Sequence, residues 1–210
     1  MTQEVKMRKR RNALVLSVGV LVLAAAGFGQ GVRNSISLNA AGFYPKNNAL
    51  QNKIGQGFGI ALRFKSHLTV SFEWKYAKLK VDSQEGGLMN GEVSYTPLVL
   101  NIAYHPLPEA RISPYAFLGA GLYLIELRPG ARLSPEEAEI KTQKVKDGIG
   151  LNGGIGAAVR IVPRLYLYVE GLYMWRKANV ETLFFDDRPA RNFTSDFTSL
   201  SALIGLKIAY

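Results

Sequence analysis

The sequence predicts an all-β chain, an eight-stranded antiparallel up-and-down barrel that crosses a membrane with its strands. Three observations carry this expectation. Apolar and polar residues alternate with period two through eight segments, and the connections between those segments alternate long and short. The last segment, LSALIGLKIAY, places Leu200, Ala202, Ile204, Leu206, Ile208 and Tyr210 on one apolar face. Ser199, Ser201, Leu203, Gly205, Lys207 and Ala209 form a smaller, more polar opposite face.

Composition agrees. The 210 residues are 48% hydrophobic with a mean hydropathy of +0.03, too polar for a bundle of membrane helices. Beyond the first thirty residues no apolar run approaches the length of a spanning helix. Most of the 21 glycines fall inside strand-like segments, where they suit tight curvature and small interior positions. There is no cysteine, which excludes disulfides, a lipidated N-terminal cysteine and thiolate metal sites.

The N-terminus reads as an export signal. Lys6, Arg8, Lys9, Arg10 and Arg11 precede an apolar run, Ala13 to Ala26, which ends in small residues. Cleavage after Ala26 or Gly29 fits, with Gly29 preferred; the alternative is an uncleaved anchor. The expected domains are a signal peptide at 1–29 and a barrel at 30–210. Removing the signal takes away five basic groups and Glu4, leaving about +6 of the formal +10. Much of the basic excess is therefore an export feature, and no nucleic-acid partner is expected.

The segments follow in order. The first, Val32 to Tyr44, sets Ile36, Leu38 and Ala40 against Ser35, Ser37 and Asn39. The second sets Phe58, Ile60, Leu62 and Phe64 against Gly57, Gly59, Ala61 and Arg63. The third has the cleanest alternation, with Leu68, Val70, Phe72, Trp74 and Tyr76 opposite Thr69, Ser71, Glu73 and Lys75. The fourth turns Leu98, Leu100, Ile102 and Tyr104 outward and Val99, Asn101, Ala103 and His105 inward. The fifth, Ser113 to Leu127, is nearly all apolar, and its facing is ambiguous; the face of Phe117, Gly119, Gly121 and Tyr123 is taken as interior. The sixth points Ile149, Leu151, Ile155, Val159 and Ile161 outward and Gly148, Gly150, Asn152, Gly154, Gly156, Ala158 and Arg160 inward. The seventh points Leu165, Leu167, Val169, Tyr173 and Trp175 outward and Tyr166, Tyr168, Glu170 and Leu172 inward. LSALIGLKIAY is the eighth.

The connections run long (45–55), short (65–67), long (81–92), short (105–111), long (128–147), short (162–164) and long (177–196). Antiparallel neighbours collect alternate connections at opposite ends, so one end has tight turns and the other long loops. The core of the 128–147 loop is expected to hold a helical turn capped by Ser134. That asymmetry is the one seen in bacterial outer-membrane barrels, which puts both termini on the periplasmic side. In hydrocarbon an open sheet edge leaves backbone groups unsatisfied, so the strands must close.

Inward positions collect polar and charged side chains: Arg63, Glu73, Lys75, Asn101, Asn152, Arg160, Glu170 and Lys207. Eight strands leave an interior that side chains fill, so these residues are read as a paired structural core; the alternative is the lining of an ion path. Phe64 and Tyr104, with Tyr210, are placed at the short-turn interface. Trp74, Tyr76, Tyr173 and Trp175 are placed at the long-loop interface.

With SPYAFLGAGLYL, GIGLNGGIGAAVRIVPRLYLYVEGLYMW and the terminal aromatic strand in hand, the mature chain resembles the small eight-stranded outer-membrane barrels of the OmpA, OmpX and OmpW type. In that family the C-terminal strand is the recognition signal for the barrel-assembly machinery. The resemblance assigns that role to Tyr210 with Leu206 and Ile208, although phenylalanine is the commoner last residue. It implies a bacterial outer-membrane location and partners in outer-membrane lipid and lipopolysaccharide, the assembly machinery and an extracellular ligand of unknown identity. No peptidoglycan-binding domain is expected after the barrel, so the resemblance does not extend to a cell-wall anchoring role.

The expected function is non-enzymatic, structural or surface-interacting. The alternative is a narrow porin-like channel for small or hydrophobic solutes, and a remote one is a lipid-modifying enzyme. His67 and His105 both fall at the short-turn end, and their spacing favours no nucleophile. No cofactor or metal site is expected. Asp186 and Asp187 read as a solvated loop pair, and Lys141, Lys144 and Lys146 as contacts for anionic lipid phosphates.

Overall fold

The structure is a computed structural model that describes residues 33–64, 67–81, 88, 90–130, 140–185 and 189–210. The expected signal peptide, the Ser134 cap and the Asp186–Asp187 pair lie outside them. The described residues form β1 (Arg33–Pro45), β2 (Lys53–Phe64), β3 (Leu68–Val81), β4 (Gly91–Tyr104), β5 (Ile112–Pro129), β6 (Ile140–Val145), β7 (Gly148–Val162), β8 (Leu165–Trp175), β9 (Lys177–Phe184), β10 (Arg191–Asp196) and β11 (Ser199–Ala209).

Eight of these close a barrel in the order β1-β11-β8-β7-β5-β4-β3-β2, every neighbouring pair antiparallel. The first and last strands make the closure. Leu38 lies opposite Leu206, and Asn34 and Tyr210 exchange backbone hydrogen bonds of 3.3 and 2.9 Å. No edge is left, which is what a wall facing hydrocarbon requires.

The remaining strands form a three-stranded sheet in the order β10-β9-β6. That order repeats β11-β8-β7, so the small sheet prolongs the barrel wall beyond its long-loop end. This corrects the reading of both segments as loops. The 177–196 connection is mostly a hairpin, and the 128–147 segment contributes a strand at Ile140–Val145. The joint between wall and extension is tied by Arg176, whose guanidinium donates to the Lys146 and Ile149 carbonyls at 2.9 and 3.2 Å. The Arg176 carbonyl accepts from the Phe197 amide at 2.8 Å.

The facing follows the period-two pattern, including the ambiguous fifth segment. Phe117 and Tyr123 are buried, and Leu118 on the opposite face is 74% exposed. The third strand continues to Val81 and the fourth begins at Gly91, so both exceed their expected limits. Their polarity inverts on the way. In β3 the inward residues are Thr69, Ser71, Glu73 and Lys75 and then Ala77, Leu79 and Val81; the outward ones are Phe72, Trp74 and Tyr76 and then the exposed Lys78 and Lys80. A hydrocarbon-facing wall with a polar interior thus gives way to a water-facing wall with an apolar interior.

That apolar interior fills the long-loop half of the lumen. Phe43, Tyr95, Tyr123, Leu172, Met174 and Val180 pack there in one buried cluster, with Phe43 and Tyr95 edge-to-face at 6.1 Å. The β1–β2 connection folds against it. Its Leu50 pairs with Val81, and the Lys46 amide donates to the Thr198 carbonyl at 2.8 Å. At the other end the Pro163–Arg164 turn is tight, with Arg164 at φ 74°, the order of proline then positive φ that suits a type II turn.

Candidate functional site

The short-turn half of the lumen carries the polar chemistry, because inward positions of β2, β3, β4, β5, β7, β8 and β11 converge there. Lys75 is fully enclosed and makes a direct ion pair with Glu73 two residues earlier on the same face of β3. Next to it, Asn152 donates from Nδ2 to Asn101 Oδ1 at 2.6 Å, joining β7 to β4 over the glycine row of β5. Gly119 sits between the two amides, and a side chain there would occupy their space.

Glu170 accepts a hydrogen bond of 2.7 Å from the Tyr115 hydroxyl. Lys207 makes no direct ion pair among the described residues. Its ammonium instead lies over the Tyr115 and Tyr168 rings, 5.6 and 5.1 Å from their centroids, and Tyr168 accepts from Asn39 Nδ2 at 3.0 Å. Of the charges expected to pair in this core, Glu73 and Lys75 meet directly, and Glu170 and Lys207 instead meet a cage of tyrosines. Tyr115 was missed as a member of this group. The inward phase it shares with Phe117 and Tyr123 was the available signal.

Two arginines behave differently from the rest. Arg63 is half-buried at the short-turn mouth, without an ion pair or hydrogen bond among the described residues. Arg160 is a correction. It has inward phase, but the register shifts between Arg160 and Val162, and its side chain is exposed at the rim instead of lining the interior. Water at the rim solvates the guanidinium at far lower cost than a lumen without a carboxylate partner.

At the outer surface the structure describes the side chains of all the aromatics expected at the interfaces except Phe64. Tyr104, Tyr173, Trp175 and Tyr210 are exposed, His67 stacks on Tyr104 at 6.0 Å, and Trp74 stacks on Tyr76 at 6.2 Å. For Phe64 the structure describes the backbone, paired with Leu68. Leu206 and Ile208 also face outward and are exposed. A groove of about 1050 Å³ crosses this outer wall along small residues that include Gly42, Ala202, Gly171 and Ala116.

No family model matches the chain, and no curated protein does. Solved structures do. OprG, an outer membrane protein of Pseudomonas aeruginosa, superposes with a TM-score of 0.71 at 15% identity, over 85% of this chain and 95% of that one. The outer membrane protein AlkL, solved in lipid bilayers, gives 0.58 at 19% identity over 88% and 92%. Neisserial surface protein A gives 0.57 at 12% identity over 86% and 98%. An exposed apolar band, full closure and these superpositions lead to one conclusion: the chain has the fold of the small eight-stranded outer-membrane β-barrels.

Proposed function

We propose that this protein is a bacterial outer-membrane barrel with a structural and surface-interacting role, neither an enzyme nor an open pore. One observation carries the reading: the lumen is filled along its length. Aromatic and aliphatic side chains occupy the long-loop half, and the Glu73–Lys75 pair, the Asn101–Asn152 amides and the Tyr115–Glu170–Lys207 cage occupy the other half. In the proposed orientation the short turns and both termini face the periplasm, and the prolonged wall faces outside. Lipid and lipopolysaccharide surround the band, with exposed Lys141, Lys144 and Lys146 on the outer side available to lipid phosphates. The assembly machinery engages Leu206, Ile208 and Tyr210.

The non-enzymatic part rests on the surroundings of the histidines. His105 Nδ1 stands 3.4 Å from Ser113 Oγ, beyond the usual reach of a general base, and both are buried inside the wall away from lipid. The test is refolding into detergent followed by gel mobility with and without boiling, then conductance in planar bilayers. The expected result is a boiling-dependent mobility shift with conductance near background. Steady single-channel openings, or solute flux through reconstituted vesicles, would replace this reading with the narrow-channel one.

A further inference from the structure

At the short-turn mouth seven of the eight barrel strands, with His105 just beyond β4, line a small cavity of about 30 Å³ bordered by Arg63, Thr69, His105, Ser113, Tyr166 and Lys207. Among the described residues its lining holds two cations, Arg63 and Lys207, and no carboxylate side chain. We propose that it binds one small monovalent inorganic anion, of halide size, held between the Arg63 guanidinium and the Thr69 hydroxyl with Lys207 behind them.

Three observations converge on this site. The first is charge. In the short-turn half of the described lumen the buried and half-buried ionic side chains are Arg63, Lys75 and Lys207 against Glu73 and Glu170, an excess of one positive charge. Glu73 is taken up by Lys75, and Glu170 lies deeper with Tyr115, so the excess resides at the mouth on Arg63. A half-buried guanidinium with no partner is costly, and one monovalent anion balances it.

The second is an orphaned donor. Thr69 is 7% exposed, lines this cavity, and its Oγ1 has no hydrogen-bond partner among the described residues. Thr69 lies directly opposite Arg63 in the β2–β3 register, so both side chains leave adjacent strands on the lumen side. A buried hydroxyl without a partner is uncommon, and an anion supplies the acceptor that it lacks. Size is the third. The volume is that of about one water molecule, which suits a monoatomic anion better than the larger phosphate. Ser113 Oγ, 3.4 Å from His105 Nδ1, completes a rim of polar groups.

The refolded barrel in detergent tests this by ³⁵Cl line broadening as chloride replaces gluconate at constant ionic strength, with thermal unfolding followed in parallel. The parent should show saturable broadening and a melting temperature that rises with chloride. Thr69→Val, which keeps shape and charge, should weaken the apparent chloride affinity about tenfold or more, and Arg63→Gln should remove the response. Crystals grown in bromide should give an anomalous peak between the two residues. The proposal is overturned if Thr69→Val keeps the parent's chloride response, if broadening does not saturate, or if phosphate at equal ionic strength stabilises as much as chloride. Because Thr69→Val leaves every charge in place, it decides the matter even where Arg63→Gln fails to refold.

Discussion

Tyr115 on β5 and Glu170 on β8 are joined across the intervening strand β7, the phenol donating to Glu170 Oε1 at 2.7 Å. This bond runs through the lumen and not along the wall, so it resists any motion that widens the short-turn half. Replacing Tyr115 with Phe leaves the carboxylate without its donor and should cost about 1.5–3 kcal/mol, the range for a hydrogen bond to a charged group. Glu170→Gln should also lower resistance to urea while leaving bilayer conductance near background. A double-mutant cycle on unfolding midpoints is expected to be non-additive; simple additivity would show that the bond does not couple the strands.

The Glu73–Lys75 pair offers a sharper contrast, because Lys75 is only 1% exposed. Removing one partner strands the other in a poorly solvated interior. Glu73→Gln or Lys75→Met alone should each destabilise the barrel by about 3–5 kcal/mol, and the double variant should recover part of that loss. The measurement is equilibrium unfolding in detergent. A double variant as poor as the sum of the singles would place the stabilisation in packing instead of in the pair.

Two glycines of the wall are expected to respond in opposite ways. A Cβ at Gly119 would stand 2.5 Å from the Leu100 carbonyl oxygen and 2.9 Å from Asn152 Oδ1, whereas at Gly171 it would meet nothing within 4 Å. Gly119→Ala should therefore lower the fraction that refolds to the boiling-sensitive form. Gly171→Ala should stay within about 0.5 kcal/mol of the parent. Equal refolding yields would argue against a backbone-tight strand at Gly119.

Asp196 makes the wall extension sensitive to acid. Partial burial raises its pKa, but hydrogen bonds from the Thr198 hydroxyl and amide, with Lys177 and Lys46 nearby, outweigh this and hold it below the ordinary 3.8. The Thr198 amide donates to Asp196 Oδ1 at 2.8 Å. A depressed folded-state pKa means that the stabilisation is complete above the ordinary carboxylate range and is lost as the pH falls through the folded value. Hydrogen exchange at the Thr198 amide should accelerate below about pH 4 in the parent and be fast and insensitive to pH in Asp196→Ala, once intrinsic exchange is subtracted.

The alternation of Leu68 to Tyr76 and of Leu200 to Tyr210 determined strands, faces and barrel closure from local chemistry alone. A period of two reports which side of a sheet each residue occupies, and the long-short rhythm of connections reports antiparallel order. Beyond Tyr76 the same period continues with its polarity reversed, as Lys78 and Lys80 turn outward and Leu79 and Val81 inward. A pattern keyed to apolar residues facing lipid takes that reversal for the end of the strand, which is why the extension of β3 and β4 and the sheet of β6, β9 and β10 were read as loops. Which charges meet was also beyond the sequence. Strand phase puts Arg63, Arg160, Glu170 and Lys207 in one lumen, but only stagger around the closed barrel decides depth. That stagger sets Arg160 in water, Lys207 between two tyrosines and Arg63 beside a cavity whose described lining holds no carboxylate side chain.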